Sequence, residues 1–173
     1  MAHRTLGPQR LFANVGRKPY EQRTDLEKCQ SQWTKLQGLH SREEWSAAIL
    51  RAATAAEIAA NYAIRKEFKS RSTLSNHFVD SLLRSANGLR GKIDKLLVPL
   101  SKGTSKAKTI ARLKVTAEKI NGQRNSIVHS GEFRDEDKAI EAIEQTRHFI
   151  ESLIRLYDPS FILRDKKEEP TSE

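Results

Sequence analysis

Nine of the seventeen residues from Ala47 to Ala63 are alanine. Alanine is the strongest helix former, and its side chain stops at Cβ. It is depleted in strands. Such a run fits one long helix that its neighbours can approach closely. Trp45, Ile49, Ala52, Ala56, Ala59 and Ala63 recur at helical spacing along it. Ser41-Arg42-Glu43-Glu44 carries the capping-box pattern that starts a helix. A helix over about 42–69 is therefore expected at the centre of the fold.

The rest of the chain supplies helices to surround it. Eight glycines and five prolines leave room for long elements. Leu26, Cys29, Trp33 and Leu36 (or Gln37) predict a first helix over about 20–38, ended by Gly38. A third helix runs from about Thr73 to Asn87, with Leu74, Phe78, Leu82 (with Leu83) and Ala86 facing inward. Gly88 and Gly91 interrupt it, and the apolar run Ile93 to Leu100 continues it with a kink until Pro99. The fourth spans about 106–129. On it Ile110, Leu113, Ala117, Ile120, Ile127 and Val128 share one stripe at ~100° per residue. Gly131 suits a left-handed stop and Asp135 an N-cap. The fifth helix, about 136–157, turns Ala139, Ile140, Ile143, Ile150, Leu153, Ile154 and Tyr157 inward, and Phe161 to Leu163 fold back on the bundle. There is no strand-period segment of useful length and no internal repeat. The expected fold class is all-α, an up-and-down bundle of about five helices. Residues 20–163 form that domain, after a basic flexible arm over 1–19 (Arg4, Arg10, Arg17, Lys18) and before a disordered tail over 164–173.

Several chemistries lack their residues. Cys29 is the only cysteine, which excludes an internal disulfide and a cysteine-based zinc site and suits a reducing cytoplasm. No signal-peptide pattern appears, and no window approaches the ~18 apolar residues of a membrane span. Glycine-rich phosphate loops and nucleophile elbows are absent. His77 and Asp80 have no third ligand, Glu144 and His148 form an ordinary helix pair, and His3 and His40 have no partner in sequence. No metal and no cofactor are expected.

Charge points to partners. The chain carries a formal +9, and ten Lys/Arg against two acids lie between Arg84 and Lys119. Concentrating cations in one stretch is the footprint of a phosphate-binding surface. Lys102, Lys106, Lys108, Arg112 and Lys114 are the candidates to hold a nucleic-acid backbone.

Within the stripe of the fourth helix sits Arg124, a guanidinium with donors only and no neutral form. It requires an anion: a carboxylate of the chain, a carboxylate of a second subunit, or a ligand phosphate. Glu57, among the alanines and beside Leu50 and Ile64, is the natural carboxylate, the alternative being a surface position at a helix edge. Asn125 and His129 are an i,i+4 pair beside Arg124. Arg124 and His129 are about 140° apart around a straight helix, so one phosphate between them needs an early helix end, the reach of the arginine, or a second copy across a two-fold axis.

Arg124-Asn125-x3-His129, late in a helical chain and just before its last long helix, resembles the motif of the HEPN superfamily. The alanine-rich helix with embedded Glu57 resembles that family too, and the similarity covers roughly residues 43–157. The resemblance implies a dimerising helical bundle that acts as a metal-independent endoribonuclease, with Arg124, Asn125 and His129 catalytic and Glu57 supporting. In that mechanism the histidine takes the proton of a ribose 2′-hydroxyl, which attacks the adjacent phosphorus and leaves a 2′,3′-cyclic phosphate. Arginine stabilises the phosphate oxygens. It also implies RNA as substrate, a homodimer, an antitoxin or other partner protein, and a role as toxin or defence effector. Position 131, a glycine here, holds in some toxin members a tyrosine used as a modification target. The family's non-catalytic members offer the alternative of a helical module that binds RNA or a partner protein.

Overall fold

The computed structural model describes residues 18–165, and every regular element among them is helical. The arm's first seventeen residues and the tail beyond Asp165 lie outside the described residues. After a single 3-10 turn, Tyr20–Gln22, come α1 (Asp25–His40), α2 (Trp45–Arg71), α3 (Asn76–Ser85), α4 (Gly88–Lys92), a π-turn (Ile93–Leu97), α5 (Val98–Ser101), α6 (Ala107–Ser130) and α7 (Glu136–Arg155). The π-turn joins α4 and α5 without a break, so the bundle has six helical segments. The fold class is as expected.

The alanine-rich helix is the axis. α2 touches α1, α4, α6 and α7, and seven of its alanines (Ala48, Ala52, Ala55, Ala56, Ala59, Ala60 and Ala63) are completely buried. Their short side chains bring the flanking helices close, and the larger groups come from those flanks. Trp33 of α1 and Phe149, Ile150, Leu153 and Ile154 of α7 fill one side, while Ile93, Leu97, Ile110 and Ile120 fill the other. Burying each such side chain stabilises by roughly 1.5–3 kcal/mol.

Local chemistry shifts several expected boundaries. The capping box is not at Ser41–Glu44 but at Thr24, whose hydroxyl accepts from Glu27 N while Glu27 reaches back to Thr24 N. α1 runs through Gly38 to His40, and Ser41 serves as its C-cap, so that serine is not free to start α2. The third helix buries Leu83 and Ala86 as expected, but Val79 takes the place of Leu74 and Phe78. Val79, Leu83 and Ala86 are buried, Leu82 is half-buried, and Leu74 and Phe78 are about half exposed. Pro99 does not end its helix. Lacking an N–H, proline needs relief in the turn before it. The π-turn provides it by passing the Val98 N–H to Ile93 O, and the helix closes at Ser101. On α7 the buried set also takes in Ala142, Thr146 and Phe149, whereas Ile140 is partly exposed.

Two carboxylates fasten the elements. Glu67, 1% exposed, accepts from Tyr157 Oη at 2.8 Å, Arg71 Nε at 3.1 Å and pairs with Lys106 Nζ at 3.1 Å. Burial, reinforced by that acid, drives the Tyr157 phenol far above its ordinary pKa. Leu163 folds back and is buried. Just beyond it Asp165 accepts from Trp33 Nε1 at 3.3 Å and binds Gln37 of α1 and Arg147 of α7, so the tail's first residues are held on the bundle.

Candidate functional site

The last two turns of α6 carry the Arg-x4-His residues, and the chain around them explains their aim. The buried stripe stops at Ile120: Ile127 is half-buried and Val128 is 47% exposed. Arg124 and His129 are exposed, and Asn125 is half-buried. Arg124 therefore stands at the water's edge and needs no buried counter-charge, contrary to the sequence reading.

Glu57 is not its partner. Glu57 Oε1 accepts from Lys92 Nζ at 2.6 Å. The physical reason is burial. Lys92 on α4 packs against α2 and is only 7% exposed, so its ammonium must find an anion inside, whereas an exposed guanidinium is hydrated. Glu57 and Arg124 still line one small cleft of about 70 Å³, together with Asn121 and Gly88.

Arg124, Asn125 and His129 do come together in an open concavity of about 460 Å³. Its opposite wall is the Asn87–Lys95 stretch, with Arg90, Asp94 and Lys95. One side-chain bond forms within the motif. Arg124 Nη1 donates to Asn125 Oδ1 at 3.1 Å, which draws the guanidinium one step around the helix toward the His129 side.

Two further devices hold this end of α6. Gly131 adopts φ 63° and closes the helix with its N–H on Ser126 O. Arg134, which the sequence did not flag, ties the following loop down. Its guanidinium donates to Ser126 Oγ and Glu132 at 2.6 Å each, and its backbone N–H to Ser46 Oγ at 3.1 Å. Gly88 is equally constrained, since its φ is +67° and a Cβ there would meet Asn121 Oδ1 at 3.4 Å. Of the lining residues missed in sequence, Asn121 was one helical turn before Asn125, and Asn87-Gly88 is a turn dipeptide. Nothing local marks Arg90 or Lys95 as facing α6.

The basic stretch divides. Lys106 is committed to Glu67 and lies over the Tyr157 ring at 5.1 Å. Lys114 pairs with Asp94 at 3.1 Å, beside Arg90, which reaches the same acid at 3.5 Å. Both lysines are thus already paired with carboxylates of the chain. Lys102, Lys108 and Arg112 are exposed, with no ion-pair partner among the described residues. At ~100° per residue Lys108, Arg112 and Lys119 lie within ~40° of one another on the solvent side of α6. The concavity takes its own cations from Arg90, Lys95 and Arg124.

No group of three or more metal-ligating side chains occurs among the described residues, and no described helix is long and apolar enough to cross a membrane. Asp80 is held by Arg65. Compared with known proteins, the chain matches no family model, no curated protein and no solved structure.

Proposed function

We propose that this chain is a metal-independent endoribonuclease of HEPN type, acting as a homodimer. One observation carries the reading: Arg124, Asn125 and His129 line the same concavity, with the guanidinium tethered toward the histidine by Asn125. A phosphodiester seated there meets a guanidinium that stabilises its oxygens and an imidazole that serves as the base. His129 takes the proton from the 2′-hydroxyl, O2′ bonds to phosphorus, and the bond from phosphorus to O5′ breaks. The departing oxygen takes its proton from the imidazolium of the second copy. A 2′,3′-cyclic phosphate and a 5′-hydroxyl result. Lys95 and Arg90 hold the neighbouring backbone. Antitoxin pairing and a defence role belong to the same resemblance.

The test is end-labelled RNA in EDTA, with wild type beside His129→Ala and Arg124→Ala and a DNA strand of the same sequence. The expected result is metal-free cleavage of RNA alone, reduced by about 10²-fold or more in each variant, as loss of a general base or phosphate donor predicts. RNA binding is unchanged in His129→Ala and weaker in Arg124→Ala, and the melting temperature stays unchanged in both. Equal behaviour of wild type and His129→Ala overturns catalysis and leaves a module that binds RNA or a partner protein.

A further inference from the structure

The outer side of α6 has no neighbour among the described residues. Lys108, Val115, Lys119, Gly122 and Ser126 fall there within about 60° of one another, turned away from the buried stripe. Lys108 and Lys119, with Arg112 at the edge of the same face, are exposed cations that no described carboxylate holds. Val115 lies among them, 55% exposed. Gly122 is the bare spot of this face. A glycine inside a helix is destabilising relative to alanine, and nothing lies within 4 Å of where its Cβ would stand. No described neighbour requires that glycine. What a missing Cβ permits is the close approach of another backbone.

The loop after α6 is the counterpart. Phe133 is 94% exposed, more than any other large apolar side chain described. It is held out in water by its flanks. Gly131 fixes the turn before it, and Arg134 behind it bonds to Ser46 through the backbone and to Ser126 through the guanidinium. Ser126 belongs to the outer face of α6, so the loop stands on the same side as Val115 and Lys119. Its charge is opposite. Arg134 is taken by Glu132 and Lys138 by Asp135, which leaves Glu136 and Asp137 exposed and without an ion-pair partner among the described residues. Those acids repel phosphates, which disfavours a nucleic-acid base on Phe133.

We propose that the outer face of α6 seats a second copy of this chain, whose Phe133 packs on Val115 while its Glu136 and Asp137 meet Arg112 and Lys119. One chain thus carries an apolar spot beside cations and an apolar spot beside acids. Surfaces that complement each other in this way are what a two-fold interface needs. Making the contact twice sets the two α6 helices antiparallel. The axis then lies midway between the Val115–Lys119 stretch and Phe133, level with Arg124 to Ser126. Gly122 is one turn from it, where the helices come closest. The proposal rests on the homodimer of the ribonuclease reading and assigns its interface.

The test is sedimentation equilibrium of the full chain without RNA, run beside the end-labelled RNA assay in EDTA. Wild type is expected to dimerise, and the association weakens as salt rises. Phe133→Ser weakens it by about tenfold or more, as loss of an interface anchor does. Gly122→Gln does the same. Glutamine is the better helix former, so a loss of pairing there with no fall in melting temperature is not a loss of fold. The charges give a second arm. Arg112→Glu with Lys119→Glu makes one variant, and Glu136→Lys with Asp137→Lys makes another. Each alone is monomeric where wild type pairs, and the two mixed form a one-to-one dimer, since each loop then faces a surface of opposite sign. A monomeric wild type overturns the interface, and RNA cleavage by that monomer leaves the chemistry standing without it. A dimer indifferent to these variants, or Phe133→Ser that weakens RNA binding and not pairing, also overturns the interface and leaves the nuclease. The expected pairing with no cleavage of RNA upholds the interface and overturns the nuclease reading.

Discussion

Glu57 and Lys92 make a pair whose two halves differ in their access to water, and the stability cost of breaking it should be lopsided. Lys92's side chain is 8% exposed and Glu57's is 37% exposed, at an Nζ to Oε1 distance of 2.6 Å. Glu57→Leu leaves an ammonium enclosed between α4 and α2 with no anion. Breaking a buried pair in this way typically costs 3–5 kcal/mol, and the opening toward Asn87 places this case near about 3. Lys92→Met leaves a carboxylate that turns to solvent, and the methionine keeps the packing of the lysine stem. That change should cost about 1 kcal/mol or less, as for an exposed ion pair. The double variant should be about 2 kcal/mol milder than Glu57→Leu alone, because the stranded charge is gone. Urea denaturation of the four proteins, with equal m-values as the check on two-state behaviour, gives the cycle. In a chain of this size the Glu57→Leu loss corresponds to a fall in Tm of roughly 6–12 °C. If Lys92→Met costs as much as Glu57→Leu, or the double variant is the worst of the three, desolvation does not govern this pair.

Two further outcomes follow from buried groups and backbone. Burial, with Asp25 nearby, pushes the Cys29 thiol from 9.0 up to about 12. Below pH 9 both folded and unfolded thiols keep their protons. Between 9 and 12 only the unfolded one ionises, so folding stability falls as pH rises. Cys29 should contribute a loss of about 2 kcal/mol by about pH 10.5, seen as a shallower decline of the urea midpoint in Cys29→Ala than in wild type. An equal decline in both excludes the thiol as its source. At Gly131 a Cβ would meet nothing within 4 Å, yet φ is +63°. Gly131→Ala should cost about 1 kcal/mol through the backbone alone and Gly131→Asn less, read from the same midpoints.

The architecture was legible where side-chain periodicity is strong. Ala52 to Ala63, the Ile110-to-Ile120 stripe and the Asp135 cap were found because local pattern and burial agree there. Pattern failed where tertiary geometry decides. Pro99 reads as a stop, but the π-turn that accommodates it leaves no mark in composition. Leu74 and Phe78 look like core residues, and Val79, one position on, packs instead. Motif spacing singled out Arg124, Asn125 and His129, and the structure puts all three on the lining of one concavity. The choice of Lys92 over Arg124 as partner of Glu57 depends on which cation α4 buries, and no spacing rule along the chain encodes that.

Both ends of the described chain are fastened to α1. Lys18 pairs with Glu27 at 3.2 Å, and Asp165 closes on Trp33 and Gln37. Neither α1 nor α7 contributes a residue to the motif concavity. Anything attached through either end of the described chain is therefore leashed to helices that do not line the motif concavity. A tethered partner, a surface support or a purification handle can be attached there while the mouth between α4 and α6 stays open.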